Sequence, residues 1–205
     1  METVSLRDGS SVVIRPIEPD DSERLREVWR GMSAISRRRR FLAASSVDDV
    51  SDEDLRYLVE VDHRRHEALL ALDEDGHAVA VARYVRVPGD REAAELAVVV
   101  VDDWHRRGLA TALIEALSAR ARENGIKRYT AIVSSDNEIV LGSLDSAGAE
   151  RTGNTDEGEV ELVFDVPSED GIGDRLSDAL RAAATAPWDF LSAGASRLAV
   201  WRRAG

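Results

Sequence analysis

Apolar and polar positions follow two rhythms in this chain, alternation and helical spacing, and these trade places from one end to the other. Val4 to Leu6 and Ser11 to Ile17 flank Asp8-Gly9, a turn pair that predicts a β-hairpin. Asp20 after Pro19, with Glu23 three residues on, predicts a capping box. Leu25, Val28, Trp29 and Met32 follow at helical spacing. A second helical piece carries Arg37 to Leu42. Ser51 with Asp54 opens a third, with Leu55, Leu58, Val59 and Asp62 on one side. Glu67 to Leu72 and His77 to Val87 form a second hairpin around Asp73 to Gly76, and Pro88-Gly89-Asp90 breaks it.

Glu92 to Val101 is the next strand. It is apolar nearly throughout after Glu95, which suits a central strand buried on both faces. Arg107 to Glu123 predicts a helix with Leu109, Ala112, Leu113, Ala116 and Leu117 inward, ended by Asn124-Gly125. A strand over Arg128 to Val133, a helix over Asp136 to Ala147 closed by Gly148, and a last strand over Val160 to Val166 complete the order. This is a mixed α/β layer architecture built on one sheet, without repeats. The composition shifts after Pro167. Ser168 to Gly171 reads as a linker. Ile172, Leu176 and Leu180 then form one helical stripe, and Trp188, Leu191, Ala195, Leu198 and Trp201 form another beyond Pro187. The expected organisation is a domain over residues 1–166 and a C-terminal helical extension over 167–205. The extension either packs on the domain or makes a homodimer contact.

Composition narrows the chemistry. Of 205 residues, 43% are hydrophobic, enough for a real core, and no apolar run approaches the ~20 residues of a bilayer span. Arg7 and Asp8 interrupt any apolar leader, so the expectation is a cytoplasmic protein without membrane contact. The absence of cysteine excludes disulfides, thiolate metal sites and a cysteine nucleophile. His63 and His66, with Asp62 and Glu67, have poor metal-ligand spacing, and no metal is expected. A net charge of −12 argues against nucleic-acid partners. The same charge favours cationic partners such as amines or lysine side chains, and it also keeps a protein in solution.

Against that acidic background one basic cluster stands out. The strand from Glu95 runs into Asp102-Asp103-Trp104-His105, then Arg106-Arg107-Gly108-Leu109-Ala110-Thr111, where a helix opens. A helix N-terminus offers free N–H groups and partial positive charge, Gly108 allows close approach, and the two arginines add fixed charge. Together they predict an anion site of phosphate type. A Rossmann dinucleotide site is excluded in practice, because G-x-G-x-x-G is absent.

His105-Arg106-Arg107-Gly108-Leu109-Ala110, placed between a strand and a helix, resembles the Gln/Arg-x-x-Gly-x-Gly/Ala signature of the GNAT acyltransferases. Asn137 at the start of the next helix, with Ala147-Gly148-Ala149 at its end, resembles a second feature of that family. The resemblance covers roughly residues 10 to 166. Arg15-Pro16-Ile17, the arginine run from Ser36 to Phe41, Ser51 to Leu55, and Val61-Asp62 with His66-Glu67-Ala68 resemble one branch, the bacterial Pat-type protein lysine acetyltransferases.

The resemblance implies a GNAT fold: a central, mostly antiparallel sheet with a splayed pair of strands (β4/β5 in the family's count), flanking helices and the C-terminal extension. It implies acetyl-CoA as co-substrate and an amine or protein lysine as acceptor. Backbone groups of Val98, Val99 and Val100 would hold the pantetheine arm like an added strand. Amides from Arg106, Arg107, Gly108, Leu109, Ala110 and Thr111 would hold the pyrophosphate, and Asn137 would lie by the pantetheine. Glu95 would be the general base that deprotonates the amine, its apolar neighbours raising its pKa. His105 replaces the family's Gln or Arg. Leu144 stands where many members carry a tyrosine acid, and Ile132 where many carry another glutamate. Tyr84 and Tyr129 are expected to pack. A small-molecule amine acetyltransferase and a non-catalytic acyl-CoA-binding interaction module are the alternatives on this fold.

Overall fold

A computed structural model describes residues 1–33, 51–135, 138–146, 148–155 and 159–168. The arginine-bearing piece, Asn137 and the two C-terminal apolar stripes lie outside the described residues. Strands β1 (Glu2–Ser5) and β2 (Ser11–Pro16) lead to helices α1 (Ser22–Arg30) and α2 (Asp52–Val59). Then come β3 (His66–Leu72), β4 (Ala78–Arg86), β5 (Ala93–Val100), a 3₁₀ turn (Asp102–Trp104) and the long helix α3 (Leu109–Glu123). Strand β6 (Arg128–Ser134), helix α4 (Glu138–Ser146), β7 (Glu150–Thr155) and β8 (Glu159–Asp165) follow.

The strands form one eight-stranded sheet in the order β1-β2-β3-β4-β5-β6-β8-β7. Every neighbouring pair is antiparallel except β5 and β6. That parallel pair needs a long crossover, and α3 supplies it. Successive residues of β4 show which helix covers which face. Arg83 donates from Nη1 to the carbonyl of Leu58 in α2 (3.2 Å), while the next residue, Tyr84, accepts at its hydroxyl from Asn124 Nδ2 at the end of α3 (2.9 Å). Of the predicted α3 stripe, Leu109, Leu113 and Leu117 are buried, while Ala112 and Ala116 are half-buried and Ala121 joins the leucines. Each leucine so covered contributes about 1.5–3 kcal/mol. Tyr84 and Tyr129 are fully buried and pack, as expected.

Four local expectations are corrected. The capping box of Asp20 and Glu23 does not form. The residue before α1 is Asp21, and its carboxylate accepts from Arg15, Arg24 and the Glu18 amide instead of helix amides, while Glu23 pairs with Arg30. Asp62 lies beyond the end of α2, where it accepts from the amides of Arg64, Arg65 and His66 (2.9, 2.7 and 2.9 Å). Helix α3 starts at Leu109 and not at Arg107, because Arg106 (φ 63°) and Gly108 (φ 89°) are left-handed and cannot lie in a helix. Strand β7 has no counterpart among the elements the sequence pattern predicts. Its sequence, Glu-Arg-Thr-Gly-Asn-Thr, has no apolar alternation because it is an edge strand, and its register shifts between Arg151 and Gly153.

Candidate active site

The centre of the sheet is open on one side of β5. Its parallel register with β6 comprises Ala93↔Arg128, Ala94↔Tyr129 and Glu95↔Thr130, after which the strands diverge. The antiparallel ladder with β4 continues along the other edge to Val100. Alternation along that ladder decides which backbone groups reach the gap. Val87 N donates to Ala93 O (2.9 Å) and Val101 N to Val79 O (3.0 Å), so the odd-numbered residues of β5 are bonded to β4. Val99 therefore spends its amide and carbonyl on the ladder. Val98 and Val100 direct theirs into the gap. His105 folds back on this edge, its Nε2–H donating to Val100 O (2.9 Å). An extended amide-bearing arm can pair there as an added strand does.

The gap leads to the turn before α3. The 3₁₀ turn passes His105, then the left-handed Arg106, then Gly108, and delivers the free N–H groups of Leu109, Ala110 and Thr111 at the helix start. The first bond within the helix runs from Ala112 N to Gly108 O (3.1 Å). Backbone at positive φ next to a helix N-terminus is an anion-binding geometry. Arg106 is exposed. Arg107 is turned aside: it donates to Asp103 O from Nε (3.1 Å) and Nη2 (2.7 Å), pairs with Asp8 (3.0 Å), and lies over the Trp104 ring (4.5 Å).

Glu95 marks the point where β5 and β6 part, and it is buried. It stands opposite Val85, which places Arg83 on the same face at the diagonal position. This is the α2 face, and Tyr57 of α2 lies in the field of both Glu95 and Arg83. Burial raises the Tyr57 hydroxyl above its usual value; Arg83 opposes that shift and Glu95 adds to it. The Tyr57 ring is 5.1 Å from that of His66. Arg83 Nη1 donates to His66 Nε2 (3.2 Å), so His66 accepts and is neutral. Burial first, and Arg83 second, lower His66 to about 3. A cavity of ≈ 520 Å³ adjoins this cluster, with Tyr57, Glu60, Asp62, His66, Val85 and Pro88 among its walls.

The structure thus brings together Glu95, Val98, Val100 and the turn from Arg106 to Thr111, all expected from the sequence. Leu144 and Ile132 are buried. Three residues on the sheet face of Glu95, or on the helix that covers it, were not singled out for it: Tyr57, His66 and Arg83. Arg83 could have been flagged as the lone charge within the otherwise apolar run from Ala78 to Val85. His63 donates from Nδ1 to the buried carboxylate of Glu67 (2.8 Å), which also accepts from Arg120 (2.9 Å) and the Ala68 amide (3.0 Å). These side chains are tied in structural hydrogen bonds that clamp β3 to α3.

The profile of the acetyltransferase (GNAT) family matches residues 32–144. Acetyltransferase Pat of Mycolicibacterium smegmatis is 33% identical over 185 residues, 87% of this chain and 54% of that protein. The crystal structure of the GNAT domain of S. lividans PAT superposes with a TM-score of 0.70 at 32% identity, covering 80% of this chain and 96% of that one. A cAMP-binding acyltransferase from Mycobacterium smegmatis gives 0.58 at 30% identity, covering 90% of this chain and 53% of that one. The chain spans about half the length of Pat and of that acyltransferase.

Proposed function

The chain belongs to the GNAT family of acetyltransferases, and on that premise we propose that it transfers an acetyl group from acetyl-CoA to a primary amine, with a protein lysine as acceptor. The likeness to Pat and to the PAT domain supports a protein acceptor. The net charge of −12 favours a cationic one. The single observation that carries the reading is the position of Glu95. A buried carboxylate stands where the sheet opens, on the strand of Val98 and Val100 and in one cross-strand row with Val85 and His66, which line the cavity.

In this reading the donor's pantetheine arm pairs with Val98 and Val100, and its pyrophosphate rests on the turn from Arg106 to Thr111. The residues present suit such a donor. The peptide groups of Val98 and the amide of Val100 face outward to match its amides, with Val100 O shared with His105, and Gly108 supplies the left-handed bend at the helix start. The acceptor enters through the cavity of ≈ 520 Å³. A lysine ammonium has a pKa near ~10.4 and must lose a proton before it can attack. Glu95 takes that proton, directly or through water. The neutral nitrogen bonds to the acetyl carbon, the carbon–sulfur bond breaks, and the thiolate leaves with the electron pair. With Leu144 at the family's tyrosine position, water protonates the thiolate. Arg83 keeps a positive charge on the face of Glu95, and neutral His66 does not compete for the acceptor's proton.

Glu95→Gln tests this. Acetyl-CoA turnover on a panel of lysine proteins and amines should fall by about 100-fold or more, with donor affinity by calorimetry unchanged. Undiminished turnover would remove Glu95 as the base. A wild-type protein that turns over small amines and no lysine protein would redirect the acceptor assignment.

A further inference from the structure

We infer that Arg7, on the turn between β1 and β2, is a ligand of the donor's diphosphate, and that the Arg107 side chain braces the turn instead of pairing with the donor. The inference rests on the acetyl-CoA reading above.

The β1–β2 turn is bonded directly to the helix-start turn: Arg7 N donates to Arg107 O (3.1 Å). This fixes the Arg7 backbone beside Gly108. The side chain then lies over that glycine. A Cβ placed on Gly108 would sit 3.5 Å from Arg7 Nε, 3.6 Å from its Cγ and 3.7 Å from its Cδ. Arg7 is exposed, and its guanidinium makes no hydrogen bond or ion pair among the described residues. The nearest carboxylate in sequence, Asp8, is engaged with Arg107 (3.0 Å) and with the amide and hydroxyl of Ser10 (3.1 and 2.6 Å).

A guanidinium offers only donors, and so do the first amides of α3. Held side by side, they repel one another through both charge and hydrogen-bonding type, and neither can satisfy the other. An anion between them satisfies both. A diphosphate has oxygens on two sides, one set for the helix amides and one for a planar, bidentate guanidinium. Arg107 is placed differently. Its donors are taken by Asp103 O and Asp8, and its plane is stacked on Trp104. It ties Asp103 and Trp104 to Asp8 of the β1–β2 turn and has little left for a ligand. Arg106 and Arg107 carry the same expectation in the signature, yet Arg106 is exposed while Arg107 is engaged, and Arg7 comes to the turn from about 100 residues earlier in the chain.

The test compares CoA with pantetheine, which carries no phosphate, by calorimetry on the full chain. Arg7→Ala should weaken CoA about tenfold or more, leave pantetheine unchanged, and flatten the salt dependence of CoA binding. Arg7→Lys should recover part of the loss, and the melting temperature should not move. Arg107→Ala should lower the melting temperature and change CoA affinity less than Arg7→Ala does. If Arg7→Ala binds CoA as tightly as wild type, or weakens CoA and pantetheine alike, the inference is overturned. Wild-type protein that fails to bind CoA at all would overturn the donor reading itself.

Discussion

Arg15 and Asp21 form a buried, doubly hydrogen-bonded ion pair, with both contacts at 2.6 Å. The aspartate has no exposed surface. It accepts two further bonds, from the Glu18 amide and from Arg24. The pair joins the end of β2 to the entry of α1, which explains why Asp21 does not cap the helix. Burial pushes the Asp21 carboxyl up, but the arginines and the Glu18 amide outweigh it and hold it below its usual range.

Removing one partner should therefore be severe. Asp21→Asn leaves a buried guanidinium uncompensated and should cost about 3–5 kcal/mol in urea unfolding. Replacing both, as in Arg15→Met with Asp21→Leu, should cost much less than the single change. The folded-state value is the lower one, so the pair's stabilisation is complete above the unfolded value of about 3.8 and disappears as pH falls through the folded value.

His66 acts at higher pH. An unfolded chain protonates it at about 6.5, the folded chain only at about 3. The unfolded state binds more protons across that window, so stability should fall continuously as pH drops from about 6.5 toward 3. In His66→Phe the decline between pH 6.5 and 5 should become shallower. An unchanged pH profile in chemical denaturation would contradict the buried, neutral imidazole.

Gly31 closes α1 against Val101. A Cβ there would lie 2.6 Å from Val101 Cγ1 and 2.9 Å from its Cβ, and a β-branched side chain cannot swing away. Gly31→Ala should destabilise by about 1–3 kcal/mol. Adding Val101→Ala should recover part of that loss, a non-additivity that a double-mutant cycle measures directly.

Gly108→Ala meets only ordinary contacts with Arg7, so its cost arises from φ at 89°. It should lose about 1 kcal/mol of stability and weaken CoA about tenfold by crowding the anion's approach. Gly76→Ala is the control. With φ at 83° and open space around it, it should lose similar stability and no CoA affinity. Equal effects on binding would show that the glycine serves the fold alone.

Much of the fold was legible because its signals are local. The buried β5 run, the α3 stripe and the Asp-Gly turn each act within a few residues of themselves. What the sequence hid was pairing at a distance. The polarity of β7 comes from its place at the edge, which is known only once the sheet is built. Asp20 looked like a cap because Arg15's claim on Asp21 is tertiary. At the candidate site, Glu95 and the turn up to Thr111 were visible as one segment. Arg83 shares the sheet face of Glu95 from β4 and Tyr57 feels its charge from α2, while Arg7 comes to Gly108 from the N-terminal hairpin.

The brevity of the β5–β6 pairing has a mechanical meaning. Strands β1 to β5 and strands β6 to β8 are two leaves stitched at one end by three residue pairs. A seam so short is where amide hydrogen exchange should first record local opening of the central strands. On the acetyl-CoA reading, a bound donor would fill that gap and tie the two leaves together. On the same reading, the donor-free protein would be the less stable of the two states at this seam.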